Sequence, residues 1–141
     1  MNGRFVAKLA SLGAIVALIA VGCSSTSEYQ MESGERTVGA QGDVLVTVDD
    51  NENRMVELAV SHLPLPQDLH QQKSTYTVWV LPDSDEVGPQ NAGRLVLDED
   101  RHGFIKFTTP FRSFDLVVTA EPSELEAKPS DERVLFQEID E

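Results

Sequence analysis

Val44-Leu45-Val46-Thr47-Val48-Asp49-Asp50-Asn51-Glu52-Asn53-Arg54-Met55-Val56-Glu57-Leu58-Ala59-Val60-Ser61-His62 decides the fold. Val44, Val46 and Val48 fall on one face of an extended chain. Val56, Leu58 and Val60 alternate with Glu57, Ala59 and Ser61 in the same way. A period of two is that of a strand with one side buried and the other wet. The polar stretch from Asp49 to Asn53 between the two runs reads as a hairpin loop. Leu63-Pro64-Leu65-Pro66 then stops the second strand, because proline cannot donate to a ladder.

The texture persists toward the C-terminus. Short β-branched and aromatic runs recur, with turn residues between them at intervals of about ten residues, the spacing of a sandwich or barrel. Strands are predicted over 44–48, 54–62, 74–81, 93–98, 104–109, 115–121 and 133–139. The lone tryptophan, Trp79, sits on the third. Two acidic, proline-bearing loops cover 82–91 and 122–132. The one candidate helical turn is 123–127, where Ser123 and Glu126 have capping-box spacing. The expected fold is all-β: an immunoglobulin-like antiparallel sandwich of about seven strands over 43–141.

Upstream, 24–42 is polar, rich in Gly and Ser, and without an apolar period. Such composition cannot bury enough surface to offset chain entropy. It reads as a flexible tether with a reach of roughly 25 Å, in which Val38 could begin a short edge strand. Before it stands Cys23, the only cysteine. Arg4 and Lys8 precede an apolar run from Leu9 to Val21, shorter than the roughly 20 residues that span a bilayer as a helix. Ala20-Val21-Gly22-Cys23 closes that run, and a Ser/Thr stretch follows. The pattern resembles the lipobox of bacterial lipoproteins, with Ala20 where the family prefers Leu. The resemblance implies a cleaved signal peptide over 1–22 and a lipid on Cys23, which becomes the first mature residue. It further implies a diacylglycerol, often with an additional amide-linked acyl chain, and two or more chains anchor stably. The rival reading is an ordinary secretory signal with a cysteine near its end.

The whole chain carries a formal charge of −13. Without Arg4 and Lys8, 24 acids face nine bases, a charge of −15. Nucleic acid is excluded as a partner, since phosphate binding needs clustered Lys and Arg. Docking on anionic lipid through the protein surface is excluded on the same ground, so membrane attachment falls to the lipid on Cys23. With that cysteine acylated, no disulfide remains and the domain must stand on its apolar core.

Several stretches together resemble the extracytoplasmic domain of anti-sigma-K factors and related lipoproteins. They are Leu63-Pro64, Tyr76 with Trp79, Ala92-Gly93, Asp98 with Gly103, Phe114, Val118-Thr119-Ala120-Glu121-Pro122, and Pro129. The resemblance spans about 43–139 and implies a β domain that senses or scaffolds. The regulatory activity of that family resides in a separate cytoplasmic domain and a membrane helix, neither of which is read here.

Trp79 invites a binding-platform role, and the core tryptophan of a sandwich is the preferred one. Glu121-Pro122 reads as a strand-ending pair. His62, His70 and His102 lack metal-ligand spacing. Asp98-Glu99-Asp100-Arg101-His102-Gly103 only loosely follows a calcium loop, and it and Asp83-Ser84-Asp85-Glu86 read as solvated turns. No nucleophile elbow or phosphate loop is present. The sequence thus points to a non-catalytic envelope lipoprotein with no metal or cofactor, acting as an interaction or structural module. The expected partners are the membrane, through Cys23, and an envelope protein with a basic surface. Ser24 after the cysteine suits outer-membrane sorting where two membranes exist. The alternatives are an extracytoplasmic sensor related to anti-sigma systems, or a weak divalent-cation-binding module.

Overall fold

A computed structural model describes residues 24–141. The expected signal peptide over 1–22 and the lipidation at Cys23 lie outside the described residues. The chain forms β1 (Thr26–Gln30), β2 (Glu32–Ser33), β3 (Gln41–Val48), β4 (Arg54–Ser61), α1 (Pro66–Leu69), β5 (Thr75–Pro82), β6 (Gln90–Leu95), β7 (Gly103–Thr109), β8 (Ser113–Glu121) and β9 (Arg133–Asp140). Two antiparallel sheets result, ordered β1-β3-β4-β7 and β2-β9-β8-β5-β6. The strands expected from the sequence are β3 to β9. They form a three-on-four immunoglobulin-like sandwich in which β4–β5, β6–β7 and β7–β8 cross between layers.

The core follows the alternation. Val44, Val46, Val56, Leu58 and Val60 face Tyr76, Val78, Val80, Leu116, Val118 and Leu135 across the layers, all essentially buried. Pro66 opens α1 at its first turn, where a missing N–H costs nothing, and Leu69 anchors that turn to the core. The helical turn expected at 123–127 does not form. Ser123 instead makes other local bonds, its hydroxyl accepting from Leu125 N (3.1 Å) and donating to the Glu126 carboxylate (3.4 Å). The predicted fourth strand shifts from 93–98 to Gln90–Leu95, which pairs with β5 through a bulge that leaves Ala92 unpaired between Asn91 and Gly93. Leu97 keeps a single bridge to Gly103.

The tether expected over 24–42 is corrected. Both β1 and β2 lie inside it, each adding an edge strand to a sheet. Ser25 already accepts a bond from Val48 N (3.3 Å), so pairing begins near the first described residue. Tyr29 turns inward and donates to the Glu141 carboxylate at 2.7 Å. Met31 is buried, with its N–H on Gly42 O at 2.8 Å. Polar composition hid this because an edge strand is held mainly by backbone bonds, which composition does not register. The approaches are close: a Cβ on Gly34 would lie 2.3 Å from Arg133 O. Val38 begins no strand and is exposed in the β2–β3 connection.

Candidate interaction surfaces

The two outer faces of the sandwich differ. On the five-stranded sheet, Thr75, Thr77, Trp79, Val117, Thr119 and Glu121 point away from the inter-layer core, yet all are buried. The 122–132 segment is tied down over the part of this face around Trp79 and Glu121. Glu124 O accepts from Asn91 Nδ2 (3.2 Å), on β6 beside Trp79, and Ser130 returns to β8 through Glu121 and Ala120. Trp79 is therefore buried, as expected of a core residue, but beneath this segment rather than between the sheets.

A hydrogen-bond chain fixes that layer. Trp79 Nε1–H donates to Thr119 Oγ1 at 2.8 Å, and the Thr119 hydroxyl donates to Glu121 Oε1 at 2.5 Å. Ser130 N–H donates to the same oxygen at 2.7 Å. A buried carboxylate with two donors on one oxygen holds down the segment above it. Glu121 thus ends its strand, as the Glu121-Pro122 pair suggested, and also clamps the cover. Thr77, paired in register with Thr119, is fully buried with no partner for its hydroxyl.

The outer face of the β1-β3-β4-β7 sheet carries no such cover. Two rows cross it in register: Glu28, Leu45, Glu57 and Lys106, then Gln30, Asp43, Ala59 and Phe104. All of these but Lys106 border a shallow trough of about 640 Å³. Phe104 is 60% exposed, the largest exposed side chain on this face. Lys106 Nζ lies 3.3 Å from Glu57.

His62 and His102 meet at one end of this sheet with ring centroids 6.4 Å apart, edge to face, a proximity the sequence did not reveal. His70 lies apart, at the C-terminal end of α1. Among the described residues no group of three or more His, Cys, Asp or Glu could hold a metal ion. The Asp98 carboxylate is engaged in its own turn, accepting from Asp100 N (2.9 Å) and His102 N (2.8 Å). The β3–β4 turn uses Asp49 in the same way, and bonds from Asn53 and Asn51, with Arg54 nearby, hold this carboxyl below its usual range. In the β5–β6 loop Glu86 N–H bonds Ser84 Oγ (3.3 Å). No helix among the described residues is long and apolar enough to cross a membrane. No protein-family model, curated protein or solved structure matches the chain.

Proposed function

We propose that the protein is a cell-envelope lipoprotein, anchored by acyl chains on Cys23, whose sandwich binds a partner protein without catalysis. The supporting observation is the asymmetry of the outer faces: one is closed around Trp79, Thr119 and Glu121 by the chain's own 122–132 segment, the other is left open across all its strands. An open sheet face lined by apolar and acidic side chains suits protein recognition better than group transfer, which needs a nucleophile with its base. The high negative charge favours a partner with basic surface.

The start of β1 gives this reading a geometry. Ser25 is already bonded to β3, and two extended residues reach only about 7 Å from Cys23. The sandwich would thus lie against the bilayer rather than stand off it. The β3–β4, β5–β6 and β7–β8 connections occupy the end where β1 begins, with Asp49, Asp50, Glu52, Asp83, Asp85 and Glu86 among their residues. Anionic lipid repels such an end, so attachment falls to the acyl chains. Mass spectrometry of the mature chain from membranes tests the anchor. It should begin at Cys23 and carry the mass of a diacylglycerol; an unmodified Cys23 would refute it.

A further inference from the structure

Outward positions of a half-solvated sheet are normally polar. The outward positions of β1, β3, β4 and β7 depart from that rule at Met55 and, in the trough, at Leu45, Ala59 and Phe104. Leu45 on β3 stands opposite Glu57 on β4, and Ala59 on β4 stands opposite Phe104 on the edge strand β7. These three form the apolar floor and wall of the trough, while Glu28, Asp43 and Glu57 border it. Lys106, on the same face, is drawn to Glu57 at 3.3 Å, which leaves an excess of acid.

We infer that this trough receives an extended cationic segment of a partner protein, which sets an apolar side chain on Leu45, Ala59 and Phe104 and its Lys or Arg side chains on Glu28, Asp43 and Glu57. The inference rests on the interaction reading above and names its site and partner chemistry. The apolar centre supplies the desolvated contact on which affinity concentrates, and the acidic border supplies sign selectivity. Nucleic acid and anionic lipid carry the wrong charge. A second copy stacked face to face would bring the same three acids against one another. On the opposite outer face the 122–132 segment is tied down beside Trp79, and Phe136, in the same row, is 39% exposed against 60% for Phe104.

The test uses the full-length chain in detergent and a synthetic peptide alternating Lys with Val around one central Phe. An otherwise identical peptide with Glu in place of Lys is the control. Binding is read from amide chemical shifts. The expected result is saturable shifts centred on Leu45, Ala59 and Phe104, with none from the Glu peptide. Phe104→Ser should weaken binding about tenfold or more, the loss of a central apolar anchor. The pair Glu28→Gln and Asp43→Asn should weaken it comparably and flatten its salt dependence. Leu45→Thr, a strand-compatible change, serves as a second variant. Cys23→Ser should bind like wild type, so failure of the anchor and failure of the trough are separable.

Saturable shifts at another surface would overturn this face while leaving the interaction reading intact. No saturable shifts, equal binding of the Glu peptide, or an unaffected Phe104→Ser would each overturn the trough. So would a concentration-dependent dimer abolished by Phe104→Ser, which would make the occupant a second copy.

Discussion

Thr77 and Thr119 face each other in register on neighbouring strands, both fully buried on the same side of the sheet. Their replacement by valine, of nearly the same shape, should have opposite consequences. The Thr119 hydroxyl accepts from Trp79 and donates to Glu121. Thr119→Val leaves the buried indole N–H unpaired, which costs about 1–3 kcal/mol, and removes a bond to a carboxylate worth about 1.5–3 kcal/mol. Members of one network are not additive, so the expected loss is about 2–4 kcal/mol. That is a large part of the 5–15 kcal/mol typical of a domain. The Thr77 hydroxyl has no partner. Thr77→Val removes an unsatisfied polar atom and should be neutral or stabilising by up to about 1 kcal/mol. Thr119→Ser keeps the hydroxyl and should recover most of the loss. Urea denaturation followed by fluorescence reads this directly, because Trp79 is the only tryptophan and sits in the network. A Thr119→Val variant within about 0.5 kcal/mol of wild type, or a Thr77→Val variant as damaged as Thr119→Val, would refute the network as the lock on that face.

Deleting 24–33 should lower the denaturation midpoint substantially, since it strips the pairing and cover that β1, Tyr29 and Met31 give to the sheets; an unchanged midpoint would restore the tether. Gly34→Ala should destabilise by about 1–3 kcal/mol as an overpacked close approach, with amide exchange accelerated at Val134 and Leu135, and protection equal to wild type would contradict it. Burial and the Glu141 carboxylate push the Tyr29 phenol up to about 12, and burial raises Tyr76 as well. Unfolded tyrosine titrates near 10. The folded state therefore favours the neutral phenols, with that stability complete below about pH 10 and lost as pH rises toward and beyond 12. Thermal melts from pH 9 to 12 should show the fall, and Tyr29→Phe with Tyr76→Phe should reduce it.

The layered β fold was legible because its evidence is local. The alternation over 44–48 and 54–62, the prolines at 64 and 66 and the recurring turns each act within a few residues. What was hidden depends on partners distant in the chain. Thr26-Ser27-Glu28-Tyr29-Gln30 carries few apolar residues, and only its pairing with β3 makes it a strand. Trp79 was legible as buried, but which side it faces depends on what the 122–132 segment covers. His62 and His102 approach because β4 ends beside the start of β7. The trough was invisible for the same reason: Leu45, Ala59 and Phe104 are ordinary residues until three strands place them side by side. Cys23 is the converse case, a purely local pattern.

The proposed acyl anchor on Cys23 would set both the compartment and the surface against which the sandwich lies. The most direct measurement is fractionation of cells expressing Cys23→Ser beside wild type. Wild type should sediment with membranes and resist extraction by salt. The variant should appear in the soluble envelope fraction, or as an unprocessed precursor that is heavier on a gel. A variant that is processed like wild type and still sediments with membranes would contradict the account.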